Sequence, residues 1–311
     1  VGRLAGATPT TLRRRRPARH PRRSDARSRV LDRDASGARV KHGNGWERRM
    51  SATYKALVTG GAALAALVVF LLLLLFGGGG SELDDLRGAN LARALGDAAR
   101  AGHRPLTYDE VWAALEVTDE APGDGDRVLL FYSGRTAPKA DKVSATRNPD
   151  HGPDSWNREH LWPRGRGVGE DGPAATDLHH IRAADVTCNA ERGDFGFDRG
   201  GTPIDECRFR RDGDSVEPRD GIKGDLARML FYMDVRYDGT DGTPDLRLVR
   251  GPGEGEAMMG DLCRLLAWHT ADPLTGDELD RHRRIVAEQG NRNPFIDRPD
   301  LAAKLYGPRC R

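Results

Sequence analysis

At 311 residues the chain is long enough for one or two domains with a substantial apolar core, and it contains no internal repeat. Its formal charge of +2 conceals an asymmetry: residues 1–49 hold 15 Lys and Arg against 4 Asp and Glu, a net of +11, so the remainder carries −9. The basic pI belongs to the leader, which excludes net charge as an argument for a nucleic-acid partner; a phosphate-binding surface has to be a local patch.

Residues 1–49 are rich in Arg, Pro, Gly and Ser, with RRRR at 13–16 and almost no apolar periodicity. Such a segment cannot bury enough surface to offset its ordering entropy and is expected to be disordered. It is either a basic arm for anionic lipid or nucleic acid, or a stretch upstream of the true start, since Met50 stands just before a targeting-like segment. From Ala56 to Phe76, 21 residues carry no charge and end in LVVFLLLLLF. At about 1.5 Å per residue such a helix crosses a hydrocarbon core of ~30 Å. Secretory apolar regions are shorter and no A-x-A-like site follows, so a retained signal anchor is favoured over a cleaved signal. Arg48, Arg49 and Lys55 on one side and Glu82, Asp84 and Asp85 on the other place the C-terminal body outside the membrane.

Residues 77–82, GGGGSE, read as a flexible linker. Leu86, Leu91, Ala94, Leu95 and Ala98 give helical spacing up to Gly102, and Thr107 with Glu110 forms a capping-box signature ahead of Val111, Trp112 and Leu115. RVLLFY at 127–132 reads as a strand bounded by GDGD and Ser133-Gly134, and residues 134–154 read as loop. Residues 198–223 are polar and turn-rich. Asp225 opens DLARMLFYMDVRY, whose Leu226, Met229, Leu230 and Met233 share one helical face and read as core. Further helices are expected from about Glu256 to Trp268 and from Thr275 to a C-cap at Gly290, after which Asn291, Arg292 and Asn293 form a turn that ties the C-terminus down. Cys188, Cys207, Cys263 and Cys310 all lie in the exported body, where an even count suggests two disulfides in one of three pairings. Sequence proximity favours Cys188 with Cys207, leaving Cys263 with Cys310. The absence of C-x-x-C argues against zinc. The fold class expected is α+β, one mostly helical domain over residues 81–311, preceded by the leader and by a signal peptide or anchor at 50–80.

The chemistry concentrates in residues 155–197, SWNREHLWPRGRGVGEDGPAATDLHHIRAADVTCNAERGDFGF. Of nine histidines, His151, His160, His179 and His180 fall within 30 residues, where an even spread would place about one. Cleaving a phosphodiester needs a nucleophile, charge neutralisation and a proton for the departing oxygen. A neutral imidazole can take a proton from water, and a carboxylate with an amide oxygen suits a hard ion such as Mg²⁺. Glu159, His160 and Asn189 supply these groups. Because neighbours on a strand face opposite ways, Glu159 and His160 can serve one site only at a strand end or bulge. Asp177 to Arg182 then reads as the returning strand and Asn189 as part of a short following helix.

NREHLWP, DLHHIRAAD, the NAER of 189–192, GDLARMLFYMDVRY and QGNRNPFID, in this order, resemble the secreted bacterial endonuclease I family. The likeness runs from about residue 86 to 305 and includes YDEVWAALEVTDE and the Trp268–Pro273 segment. It implies a ββα-metal (His-Me) finger in which His160 is the general base and Glu159 and Asn189 hold one Mg²⁺. The ion then steadies the transition state and the leaving 3′ oxygen. The likeness further implies 5′-phosphate products and little sequence preference on DNA, with RNA as a further substrate, by a monomer. Ala183-Ala184 departs from the family's common Pro before a small residue, which touches strand geometry and no ligand.

Other residues carry paired readings. Arg192 and Arg182 either clamp the scissile phosphate or bridge to Asp177, Asp185 or Glu191. His179 or His180 orients Glu159 or a water on the ion, with Asp177 nearby, and one of the two histidines is a hydrogen-bonded core residue. Trp156 and Trp162 read as packing rather than base stacking. Arg164 and Arg166, among glycines, suit backbone-phosphate contacts. A non-catalytic surface protein holding extracellular DNA is the alternative; it needs no base, so His160 speaks against it.

Overall fold

The computed structural model describes residues 83–144, 155–251, 253 and 255–311. The basic leader, the apolar segment at 56–76, the glycine linker and His151 lie outside the described residues. Among the described residues no helix is long and apolar enough to cross a membrane.

Helix α1 (Gly88–Arg100) buries Leu91, Leu95 and Ala99. Helix α2 (Glu110–Thr118) starts with the reciprocal bonds its sequence announces: Thr107 N donates to Glu110 Oε2 at 2.7 Å, and Glu110 N donates to Thr107 Oγ1 at 3.3 Å. An antiparallel sheet follows, of β1 (Glu120–Ala121), β2 (Asp124–Leu129) and β3 (Thr136–Pro138). The strand expected at 127–132 is thus shifted toward the N-terminus, and β3 lies where loop was expected. The physical reason is a tight reversal: Leu130 N donates to Arg135 O and Gly134 N to Leu130 O, so Phe131 and Tyr132 are buried by tertiary packing and not by a ladder.

Strands β4 (Trp156–His160) and β5 (Ile181–Asp185) pair antiparallel, from Trp156 opposite Asp185 to His160 opposite Ile181, and α3 (Val186–Arg192) follows at once. This is the strand–loop–strand–helix order expected from the sequence, but the returning strand begins at Ile181 and not at Asp177, because residues 177–180 close a turn in which His180 N donates to Asp177 O. The stretch read as turn-rich contains β7 (Thr202–Ile204), β8 (Phe209–Arg211) and β9 (Ser215–Glu217), which with β6 (Gly196–Phe197) just before it form a sheet in the order β6-β9-β8-β7. Its strands are two or three residues long, too short to show a period.

Helix α4 (Lys223–Arg236) buries Leu226, Met229, Leu230 and Met233 as expected and forms the middle of the main core. Helix α1 reaches it through Gly96, where a Cβ would sit 2.6 Å from Val235 O, so only glycine permits that approach. A short parallel pair, β10 (Arg247–Leu248) and β11 (Met258–Met259), precedes α5 (Leu262–Ala271). The helix expected from Glu256 starts later because Asp261 caps it, its carboxylate accepting from Cys263 N and Arg264 N. Helix α6 (Gly276–Gln289) begins at the Thr275 cap and ends at Gly290 with φ 91°, as expected. Helices α7 (Pro294–Asp297) and α8 (Asp300–Tyr306) close the body, with Asn293 capping α7. A smaller cluster of Val111, Leu115, Val128, Trp156, Ile181 and Ile285 packs α2 and α6 against β2, β4 and β5. Both favoured disulfides form, Cys188–Cys207 and Cys263–Cys310. The architecture is a mixed helix-and-strand domain.

Candidate active site

A cavity of about 510 Å³ wraps the end of β4. Asn157 and Glu159 turn toward α3, while Arg158 and His160 turn toward Tyr108; all four line the cavity, and Asn189 and Asp194 complete its far side. The strand-end condition is met, since β4 stops at His160.

Glu159 is 1 % exposed. Its Oε1 accepts from the Tyr132 hydroxyl at 2.6 Å and from Arg192 Nη1 at 3.1 Å, while Oε2 takes no hydrogen bond from the described residues. Burial pushes its carboxyl pKa up, against the pull of Arg192 and Tyr132. His160 Nε2 lies 3.0 Å from Ala175 O. A carbonyl can only accept, so Nε2 carries the hydrogen and Nδ1 keeps the lone pair. Burial, seconded by His180, pushes the imidazole down to about 3, so the ring is neutral at physiological pH. Asn189 donates Nδ2 to Asn157 Oδ1 at 2.8 Å and to Arg158 O at 3.2 Å, which fixes the amide with Oδ1 as its remaining polar atom. Helix α3 is itself set by Asp185, which accepts from Ser133 Oγ at 2.7 Å and from Arg135.

Glu159 Oε2 and Asn189 Oδ1 are hard oxygens on one cavity, which fits a divalent cation that keeps solvent in its other positions. Among the described residues no three His, Cys, Asp or Glu side chains form a cage of their own.

Several residues lie elsewhere than the sequence suggested. Arg192 is 1 % exposed, and its fork is committed to Glu159 and to the carbonyls of His160 and Leu161, over the Phe197 ring. It braces the carboxylate and the strand end, with no free fork for a phosphate. Arg182 points away from the cavity and pairs with Asp119, which also pairs with Arg281. Asp177 is a buried junction: it accepts from the hydroxyls of Tyr232 and Tyr237 at 2.6 and 2.7 Å and from Gln289 at 2.7 Å. His179 faces Asn291 O and the Tyr232 ring, remote from the cavity. His180 bonds Ala174 O at 2.7 Å and packs edge-on against His160, a layer behind the site. Arg164 lines the cavity and pairs with Glu170, while Arg166 is held by the carbonyls of Asp194 and Gly253. Trp156 and Trp162 are fully buried, as packing residues.

Sequence reasoning missed Tyr132, Tyr108, Asn157 and Arg158, and it read Asp185 as a partner of Arg182 or Arg192 where the structure pairs it with Ser133 and Arg135. Asn157 and Arg158 flank the motif residues, and strand alternation carries Asn157 to the same side as Glu159. Nothing in the spacing points to Tyr132, which lies 27 positions before Glu159.

The chain belongs to the endonuclease I family, whose model matches residues 90–300, and is a nuclease. Among its relatives, an extracellular ribonuclease of Bacillus amyloliquefaciens is 43 % identical over 210 residues, covering 66 % of this chain and 70 % of its own length. An extracellular ribonuclease of Bacillus subtilis (strain 168) is 44 % identical over 211 residues, with the same coverage. An extracellular deoxyribonuclease of Aeromonas hydrophila is 33 % identical over 128 residues, 39 % of this chain and 49 % of its own.

Proposed function

We infer that the body from about residue 81 to 311 is an exported, Mg²⁺-dependent endonuclease of low sequence preference that acts as a monomer on RNA as well as DNA. In this reading β4, β5 and α3 are a ββα-metal finger, behind a leader at 1–49 and a signal peptide or anchor at 50–80. The observation that carries it is the convergence of Glu159, His160 and Asn189, as many as 30 positions apart, on one cavity. Two well-covered relatives are named ribonucleases and a third a deoxyribonuclease, all extracellular, which supports both polymers and an external location. Two disulfides suit an oxidising compartment.

His160 Nδ1 takes the proton from the attacking water. Its partner nitrogen, tied to Ala175 O, stops the ring from turning away and keeps its hydrogen bond when the ring becomes charged. The negative charge that builds up on the phosphorus centre offsets the burial that otherwise disfavours the imidazolium. Glu159 and Asn189 would hold the Mg²⁺, which would supply charge neutralisation at phosphorus and for the leaving 3′ oxygen, and the products would carry 5′ phosphates. Tyr132 and Arg192 hold Glu159 in place, and Asn157 and the Arg158 carbonyl hold Asn189.

The test is cleavage of plasmid DNA and of a labelled RNA by the purified protein. Cleavage should stop with EDTA and return with Mg²⁺. His160→Ala should lower the rate by about 10²–10⁴, the usual share of a general base, while nucleic-acid binding survives. Cleavage that persists in chelator, or an H160A variant at the parent rate, defeats the reading.

A further inference from the structure

Arg192 and Arg182, read as clamps for the scissile phosphate, are committed to carboxylates, so a phosphate in the cavity needs another cation. Arg158 meets the need. Its guanidinium lies 3.4 Å from the centroid of the Tyr108 ring and 4.2 Å from that of Trp112, and Nη1 donates to Tyr108 O. All three residues line the cavity that holds Glu159, His160 and Asn189. A planar guanidinium held between two rings keeps its charge and its outward N–H edge while surrendering little further freedom on binding. Nε and Nη2 donate to none of the described residues, and no carboxylate of the described residues pairs with Arg158. The neighbouring Arg164, 5.5 Å from the Tyr108 ring, is by contrast paired with Glu170. The cavity therefore holds, beside the oxygens of Glu159 and Asn189, a pre-oriented cation with no carboxylate of the described residues in ion-pair contact.

Resting on the nuclease reading above, we propose that Arg158, clamped by Tyr108 and Trp112, is the residue that grips a phosphate of the nucleic-acid backbone beside the bond to be cut. The contact is made to the backbone and not to a base edge, which accords with low sequence preference. Tyr108 and Trp112 are positioning residues, acting through Arg158.

The experiment measures binding of a 5′-fluorescein dT₁₂ oligonucleotide by anisotropy across a salt series, using the full chain in the His160→Ala background, where cutting is slowed, and without added Mg²⁺. Arg158→Ala and Arg158→Gln should each weaken binding about 10-fold and flatten the log–log salt slope by about 0.7, the value of one phosphate contact on a single strand. Arg158→Lys should recover the slope without the full affinity. Melting curves of all variants show whether the domain stays folded, and Arg158→Gln, the less disruptive change, decides if the alanine variant melts early. Unchanged slopes in Arg158→Ala and Arg158→Gln overturn the assignment, as does an affinity loss with the parent slope, which would mark a packing role alone. If the unsubstituted protein cuts neither RNA nor DNA, the nuclease reading fails first. If it cuts both while the Arg158 variants keep the parent slope, only the Arg158 assignment fails.

Discussion

Tyr132→Phe removes one oxygen and leaves the shape of the core intact, so it isolates the bond that steadies Glu159. The hydroxyl donates to Oε1 at 2.6 Å, and both partners are inaccessible to water, with Tyr132 0 % and Glu159 1 % exposed. A buried hydrogen bond to a charged group contributes about 1.5–3 kcal/mol, because the carboxylate cannot turn to solvent for a replacement. In a domain of this size each kcal/mol moves the melting temperature by about 2–4 °C, so a drop of roughly 3–12 °C is expected. Removing a partner that orients a metal ligand typically costs about 10–100-fold in metal affinity. The half-saturating Mg²⁺ concentration for cleavage should rise by that factor, while the rate at saturating Mg²⁺ stays close to the parent, since His160 is untouched. A Mg²⁺ titration of cleavage paired with a melting curve checks both numbers. A variant that melts lower yet keeps the parent Mg²⁺ midpoint would refute the claim that Tyr132 prepares Glu159 for the ion.

Three further outcomes follow. Asn189→Ala should raise the Mg²⁺ requirement more steeply than Tyr132→Phe, because a ligand atom itself is lost; an unchanged titration removes Asn189 from the ion. Replacing Cys188 and Cys207 with Ala opens a 19-residue loop, at a cost of about 3 kcal/mol, and frees the helix that bears Asn189. The melting temperature and the Mg²⁺ affinity should therefore fall together. Burial holds His179 at about 3 and His180 at about 4, both below the unfolded value of 6.5. A group with a depressed folded pKa contributes its stability in full above 6.5 and loses it as pH falls toward the folded value. Stability should decline below pH 6.5 by about 1.4 kcal/mol per pH unit for each histidine. Melting curves from pH 7 to 4.5 read that slope, and a flat profile would mean that these rings are not held neutral.

The helical part of the fold was legible because its signals are local. The capping boxes at Thr107 and Thr275, the stripe from Leu226 to Met233 and the stop at Gly290 each need only a few neighbouring residues to be read. The strands were not, apart from the β4–β5 pair. RVLLFY has an apolar run, yet where it leaves the ladder is set by the Leu130–Arg135 reversal, a contact that propensity cannot see. At the site, Glu159, His160 and Asn189 could be grouped in advance because they lie within one supersecondary unit, and the fold brings all three to one cavity. The roles of the arginines were beyond it: whether a guanidinium faces a phosphate or a carboxylate depends on residues such as Asp119 and Tyr108, which reach the unit from other elements.

Gln289 accepts from Leu178 N and donates to Asp177 at 2.7 Å, while Asn291 reaches Tyr232 and Ala99. The turn that leads into β5 is thus fastened by residues made more than a hundred positions later in the chain. During synthesis the hairpin emerges long before its fastener exists, and a domain with such distant contacts closes late. A nascent chain stalled before Gln289 would carry every reactive group of the cavity without the frame that aligns them.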